Sequence, residues 1–196
     1  MHWGKGFHIS KKGMKLFGGW GAASAVLAVI WPIIIYQQFG SVSSFGYMMT
    51  ATTLIGLLIS IFIARRIDIG KGRGPAMIGA LLYMLAVFLL ALFGRDPLSI
   101  ALLSALLSLA SSAFSQPYSA ALYQWAKETH DPLWFHYWSE FGWDLGNLVV
   151  LWSAALILHL HPTLDLRWLM LAVFPACLWC LYVYVRYAPK PEMRPS

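Results

Sequence analysis

Charge is scarce in this chain, and so are the residues that catalytic and redox sites require. Only 11% of the 196 residues are charged, and eight of them are acidic. The two cysteines, Cys177 and Cys180, form a CxxC inside an apolar run with no second ligand pair, which predicts packing residues. The sequence contains no P-loop, GxSxG or HExxH motif, so nothing indicates an ATPase, a serine hydrolase or a zinc protease. We expect no enzymatic activity, no cofactor and no metal.

Long hydrophobic runs dominate the sequence instead. Hydrophobic residues make up 59% of the chain and the mean hydropathy is +0.64, more than a soluble domain of this size can bury in one core. Runs long enough to span a bilayer lie at about 18–37, 44–64, 75–94, 98–125, 136–158 and 166–186. These runs do not show the alternation of polar and apolar residues that is typical of membrane β-barrel strands. The sequence therefore predicts an all-α membrane protein with six transmembrane helices.

The predicted helices divide the chain into three parts. A basic segment covers residues 1–17, a six-helix transmembrane domain covers 18–187, and a tail covers 188–196. The first apolar run has no small-residue cleavage site, so we expect it to remain in the membrane.

Basic residues are concentrated on one side of this predicted bundle. With six helices both termini share a side, which carries twelve of the fourteen Lys and Arg residues, while the other carries only Arg95 and Arg167. The positive-inside rule then predicts cytoplasmic termini, in a cell (inner) membrane. The net charge of +6 indicates contact with membrane lipids rather than with nucleic acid.

The stretch ARRIDIGKGRGP, at residues 64–75, gathers charge between the second and third predicted helices. Its glycines allow a sharp turn between antiparallel helices, and Pro75 suits the first turn of the next helix. One interpretation is a plain basic anchor on the cytoplasmic side.

The same stretch resembles the signature loop of the major facilitator superfamily. That pattern is Gly, three residues, Asp, a basic residue, one residue, Gly and two basic residues. Ala64 stands at the first Gly position, Asp68 matches the Asp and Ile69 replaces the basic residue. Gly72 and Arg73 fit if the loop is one residue longer than the pattern.

The resemblance implies a fold and a function. Facilitators have twelve helices in two parallel six-helix halves, so this chain resembles one half. The basic, Gly-rich segment before the first helix and the Trp31-Pro32 pair within it resemble the second half of a facilitator more than the first half. The chain departs from the family in length, because six further helices are missing. The resemblance implies a half-size secondary transporter of a small molecule that pairs with a second six-helix chain, as a homodimer. Two alternatives are a split transporter with a separate partner chain and a non-transporting membrane scaffold or assembly factor.

Hydroxyl groups recur along the fourth predicted helix. Serines at three- and four-residue spacing from Ser104 to Ser119 share one face, with Ser112 and Gln116 beside them, and Pro117 predicts a kink. The pattern is compatible with close helix packing or with a substrate path, because the first and fourth helices line the cavity in the resembled family. That path would comprise Trp20, Ser24, Trp31, Tyr36, Gln37, Ser104, Ser108, Ser111, Ser115, Gln116, Tyr118, Ser119 and Tyr123. A small-residue seam on the second helix, at Thr52, Gly56, Ser60 and Ala64, predicts packing.

The fifth predicted helix carries Glu140, Asp144 and Asn147 on one face. Three interpretations remain open: a conformational lock, a proton-coupling site, or capping of the helix N-terminus in the headgroup layer. In the resembled family the signature loop packs against the fifth helix of the opposite half. A lock would therefore join these residues to Arg65, Arg66, Asp68 and Arg73 of a second copy. No Lys or Arg is expected to be buried within a predicted span, since Arg167 and Arg186 lie at the ends of the last one; this favours a neutral or cationic substrate.

Overall fold

The computed structural model describes the backbone of residues 3–68 and 73–187. Within that part, the side chains of residues 3–8, 55, 59, 60 and 62–68 are not described. The described chain is helical and contains no strand. Its α-helices are α1 (Trp3–Ala25), α2 (Trp31–Phe39), α3 (Val42–Asp68), α4 (Arg73–Phe93), α5 (Pro97–Glu128), α6 (Pro132–Leu160) and α7 (Val173–Tyr187). A 3-10 turn, Leu166–Ala172, leads into α7.

A π-helical turn, Val26–Ile30, joins α1 and α2 into one rod. The Trp31 N–H donates to the Val26 carbonyl, five residues back, which is the π-helical pattern. Pro32 follows at once; it has no N–H, and its ring would clash with the carbonyl four residues earlier in a regular α-helix. The wider turn accommodates that ring and keeps the rod continuous.

Five stretches of the described chain are long and apolar enough to cross a membrane: Ile9–Phe39, Arg73–Phe93, Pro97–Glu128, Pro132–Leu160 and Leu166–Tyr187. The predicted all-α membrane fold is confirmed. Within the described residues, the apolar part of α3 is Val42–Leu58, which is shorter than these five stretches. The sixth span therefore stays a prediction. Helix α1 begins at Trp3 instead of near residue 18, and the predicted tail 188–196 lies outside the described residues.

Short capped turns make neighbouring helices antiparallel. The Asp96 carboxylate accepts the N–H groups of Leu98 and Ser99 where α5 begins, and Asp131 accepts that of Trp134 where α6 begins. Side-chain oxygens at this position satisfy amides that a helix start leaves unpaired. The turns into α5 and α6 therefore end at definite residues.

The helices pack in a definite order around an aromatic core. Helix α1 lies along α6 and α7, α4 lies along α5 and α7, and α3 lies along α5. Tyr83, Phe114, Tyr118 and Trp125 are among the largest fully buried side chains. Helices α3 and α6 each pack mainly on one neighbour and expose much of their remaining surface, so they flank the bundle.

Glycines bring α1 and α6 into backbone contact. A Cβ added at Gly142 would overlap the Met14 carbonyl oxygen, and one added at Gly146 would overlap the Gly18 carbonyl oxygen. The spacing Gly142-x-x-x-Gly146 is typical of membrane helices that approach closely. This seam was not predicted from the sequence, although the spacing could have revealed it.

Candidate functional site

A cleft lined by both polar and apolar side chains lies where α3 and α5 meet beside the first rod. Its volume is about 360 Å³, toward the lower end of the range for small-molecule sites. Its polar lining consists of Thr52, Thr53, Ser104, Ser108, Ser111, Ser112 and Gln116. The rest of the lining is Leu27, Trp31, Met49, Gly56, Leu57 and Leu107. None of these described residues is charged.

The base of the cleft is a close contact between α3 and α5. The Ser108 hydroxyl donates to the Thr52 carbonyl oxygen at 2.5 Å. A Cβ added at Gly56 would lie 2.5 Å from Ser108 Oγ and 3.0 Å from Ser112 Oγ. Only glycine therefore fits between these hydroxyls without displacing them.

Four other cleft hydroxyls donate to carbonyl oxygens of their own helices. Thr52 Oγ1 lies 3.0 Å from the Met48 oxygen and Thr53 Oγ1 lies 2.8 Å from the Met49 oxygen. Ser104 Oγ lies 2.6 Å from the Ile100 oxygen, and Ser112 Oγ lies 3.0 Å from the Ser108 oxygen. Such bonds satisfy serine and threonine inside a membrane helix. Ser111 and Gln116, in contrast, have no side-chain hydrogen bond within the described part of the chain.

The structure brings five residues of the predicted substrate path into this cleft: Trp31, Ser104, Ser108, Ser111 and Gln116. Ser115 and Ser119 share their helix but do not line it, and Ser115 Oγ bonds to the Ser112 carbonyl oxygen at 3.3 Å. Serine spacing alone therefore overestimates the length of polar surface that faces the cleft.

The other predicted path residues are distributed around the bundle. Tyr118 is fully buried in the core, its ring centroid 4.8 Å from that of Phe114 and 5.3 Å from that of Tyr184. Ser24 is half-buried, while Tyr36, Gln37 and Tyr123 are exposed. None of these four lines the cleft.

Trp20 belongs to an aromatic cluster between α1 and α6. Its ring centroid lies 5.3 Å from that of Phe17 and 5.5 Å from that of Trp143, in edge-to-face arrangements. Such pairs add to the free energy of packing beyond their buried area. The cluster stabilises the α1–α6 contact beside the glycine seam.

Helix α3 supplies the part of the cleft that was not predicted from the sequence. Met49, Thr52, Thr53 and Leu57 line it, together with Gly56. Thr52 and Gly56 were predicted to pack, and they do contact α5, but they also border the cavity. The adjacent pair Thr52-Thr53 inside an apolar run was the available signal.

The acidic residues of the predicted lock lie on the outer surface of α6. Glu140 and Asp144 are exposed, and neither forms an ion pair with another described residue. The Asn147 amide donates to the Trp143 carbonyl at 2.9 Å. Asp131 caps this helix, so Glu140 and Asp144 are not its N-terminal caps; their location in the headgroup layer stays a prediction.

The basic side of the predicted lock is described only in part. Arg73 is exposed at the start of α4. The side chains of Arg65, Arg66 and Asp68 lie outside the described residues. The lock therefore stays a prediction.

At the opposite end of the bundle, Arg167 joins two loops. Its guanidinium pairs with the Asp165 carboxylate and also donates to the Gly94 carbonyl at 3.3 Å. The hydrogen bonds from Arg167 lower the pKa of Asp165 below its usual range. This contact links the α4–α5 turn to the loop before α7.

Residue types that ligate metals do not cluster in the described structure. No group of three or more His, Cys, Asp or Glu among the described residues is arranged to hold a metal ion. Cys177 and Cys180 are buried and unbridged. The Cys180 thiol lies 3.6 Å from the Leu16 carbonyl oxygen, so this CxxC packs α7 against α1.

Five bilayer-length apolar stretches packed into one helical bundle define a polytopic α-helical membrane protein. The sequence profile described as Major Facilitator Superfamily matches residues 17–196, and the chain belongs to this superfamily of transporters. The resemblance predicted from the loop at 64–75 is thereby confirmed. No curated protein and no solved structure matches the chain significantly.

Proposed function

We propose that this chain is a half-size secondary transporter of a small molecule, and that two six-helix chains pair into the working twelve-helix unit. The observation that carries the proposal is the cleft of about 360 Å³, in which the Ser111 hydroxyl and the Gln116 amide have no protein partner among the described residues. Polar groups inside a membrane helix are costly unless they serve packing or a ligand. These two groups are available to a solute.

The position of the cleft along the helices supports the same proposal. Ser111 and Ser112 lie at the middle of α5 (Pro97–Glu128), and Gly56 lies near the middle of α3 (Val42–Asp68). The middle of a spanning helix lies near the bilayer midplane. Superfamily transporters with repeated halves bind substrates at that depth, between the repeats.

The outer surface of α6 supports pairing with a second copy. Glu140 and Asp144 stand among exposed apolar side chains such as Phe141, Leu145 and Leu148. Carboxylates facing lipid are strongly unfavourable, so a basic partner on another chain would stabilise them. In the proposed pair, Arg65 and Arg66 of one copy bind these acids and close the cytoplasmic side until transport opens it.

The energy source and the orientation are part of the same proposal. Transport is secondary, because the sequence has no P-loop to bind ATP. Both termini face the cytoplasm of a cell (inner) membrane, because basic residues crowd that side.

The mass of the intact particle tests the assembly. The full chain, extracted in mild detergent and released into a mass spectrometer, is expected as two copies of the 22.0 kDa chain. One copy bound to a different six-helix chain would instead mean a split transporter. A lone chain, or a complex with a soluble companion, would favour the scaffold alternative and contradict the proposal.

Uptake tests the transport itself. Proteoliposomes of the full chain are expected to accumulate a labelled solute faster than empty liposomes and faster than vesicles carrying Gly56→Val, whose side chain fills the base of the cleft. Equal accumulation in all three preparations, across a broad panel of small solutes, would contradict transport.

A further inference from the structure

We infer that the cleft selects small solutes rich in hydrogen-bond donors, neutral or cationic, and discriminates against carboxylates and other solutes that only accept hydrogen bonds. The inference rests on the proposed transport function, because it names the class of solute that the same cleft carries. It comes from the directions of the hydrogen bonds in the cleft.

Five of the six hydroxyl groups in the cleft already donate hydrogen bonds to backbone carbonyl oxygens. Thr52, Thr53, Ser104 and Ser112 donate to carbonyl oxygens of their own helices, and Ser108 donates across to α3. A carbonyl has no proton to give, so the hydroxyl must be the donor in each bond. The directions therefore follow from the geometry of the heavy atoms.

The consequence is a lining that mainly accepts hydrogen bonds. Each of these hydroxyl oxygens keeps lone pairs, and donating a proton makes an oxygen a better acceptor. Within the described lining, the groups with protons left to donate are the Ser111 hydroxyl, the Gln116 amide and the Trp31 indole N–H. A solute that supplies O–H or N–H groups can pair with all of these lone pairs, whereas a solute with acceptors alone can pair only with the few remaining donors.

The described lining carries no charge of either sign, so the lone pairs of its hydroxyl oxygens decide between anions and cations. A carboxylate would enter a site without a basic residue among its described members and would face hydroxyl oxygens that present lone pairs. Burying an uncompensated anion is strongly unfavourable. A polyol brings several donors without charge, and a primary ammonium brings three N–H donors to the same acceptors.

Four probes with a four-carbon chain separate these classes. Erythritol carries neutral donors, 1,4-diaminobutane carries cationic donors, 1,2,3,4-tetramethoxybutane carries acceptors only, and succinate carries carboxylates. Binding to the full chain in detergent is measured by equilibrium dialysis, and uptake is measured in proteoliposomes from the same preparation.

The expected result is that erythritol or 1,4-diaminobutane binds at least roughly tenfold more tightly than the other two probes, the ratio that about two extra hydrogen bonds produce. If only erythritol binds, the cleft is specific for neutral donors. If only 1,4-diaminobutane binds, it is specific for cationic donors. Equal or tighter binding of succinate or tetramethoxybutane, or no binding of either donor probe, would overturn the inference.

A matched pair of threonine variants tests whether the lining hydroxyls cause the selectivity. Thr53→Val removes one cleft acceptor at nearly constant shape, and we expect roughly two- to tenfold weaker binding of the donor probe. Thr50→Val is the control, because Thr50 makes the same kind of bond, to the Gly46 oxygen at 2.9 Å, yet does not line the cleft. Equal weakening by both variants would overturn the assignment. Ser112→Ala, which also removes a cleft hydroxyl that donates to its own helix, serves as a second cleft variant if Thr53→Val does not fold.

The two readouts keep this inference separate from the proposed function. Donor probes that bind but never accumulate in proteoliposomes would contradict transport, but they would still support the inferred class of bound solute. Preferential uptake of succinate would contradict the inferred preference for hydrogen-bond donors, but it would still support transport.

Discussion

The Ser108 hydroxyl donates to the Thr52 carbonyl oxygen at 2.5 Å and so joins α5 to α3 at the base of the cleft. The bond lies next to Gly56, whose missing side chain allows the two helices to approach. One contact therefore holds the helices together and shapes the cavity beside them. Substitutions at this point are expected to affect stability and solute binding together.

Gly56→Val is expected to lower the thermal unfolding temperature of the detergent-solubilised protein. Its Cβ would lie 2.5 Å from Ser108 Oγ and 3.3 Å from the Ser108 carbonyl oxygen, so the helices must separate, at a cost of about 1–3 kcal/mol. Gly46→Ala is the control, since a Cβ there meets no atom within 4 Å. A smaller loss for Gly56→Ala in a Ser108→Ala background than in the wild type would show that the hydroxyl causes the clash.

Gly146→Leu is expected to separate α1 from α6. A side chain at this position collides with the backbone of Gly18, which cannot rotate away as a flexible side chain would, so we expect a loss of about 3 kcal/mol or less if the helices shift apart. Protease accessibility and thermal unfolding in detergent measure the effect. Gly74→Ala, where nothing lies within 4 Å, should unfold like the wild type, and an equal loss in both variants would contradict a specific seam.

Asp165→Asn is expected to destabilise the protein at neutral pH but not in strong acid. The hydrogen bonds from Arg167 lower the pKa of Asp165 in the folded state, so the pair contributes stability above the unfolded pKa of about 3.9, and that contribution disappears as pH falls through the folded pKa. The carboxylate is 41% exposed, so the contribution is about 1 kcal/mol or less. Asparagine still caps the following turn, so the substitution mainly removes charge.

Unfolding midpoints of the wild type and Asp165→Asn, measured from pH 7 down to about pH 2, check this expectation. Their difference should shrink as the pH falls. A difference that stays constant over that range would mean that the carboxylate charge is not responsible.

Cross-linking tests the predicted contact between copies. Two differently tagged chains, one carrying Arg66→Cys and the other Asp144→Cys, are expected to form an intermolecular disulfide when co-expressed, because the lock brings these positions together. Each chain has one added thiol, while Cys177 and Cys180 are buried. Replacing Arg66→Cys by Leu98→Cys should abolish the product, because Leu98 is exposed at the start of α5, just beyond the end of α4 that is opposite Arg73. Failure of the first pair to cross-link would argue against the lock.

Several elements of this fold are predictable from local sequence. The apolar runs predict the helices, and Asp96-Pro97 and Asp131-Pro132 mark the starts of α5 and α6, since a capping carboxylate and a proline at the first helical position favour a helix start. The start of α1 at Trp3 was not predicted, because the first turns of this helix are basic and Gly-rich. An apolar run in the sequence marks only the part of a helix that is embedded in the membrane.

The candidate site was predictable in part. Helical periodicity alone places Ser104, Ser108 and Ser111 on one face of α5. Periodicity does not tell which neighbouring helix that face meets, and so it could not show that α3 completes the cleft or that Ser115 and Ser119 lie outside it.

By itself the sequence determined the helical membrane class and the polar face of α5, because composition and periodicity act within one helix. The superfamily came from the resemblance of the loop at 64–75 and from the match over residues 17–196. Only the tertiary structure decided that Thr52, Thr53 and Gly56 face those serines, that Tyr118 is in the core, and that Glu140 and Asp144 point outward. These relations depend on contacts between helices far apart in sequence, where backbone approach at glycines sets which side chains meet.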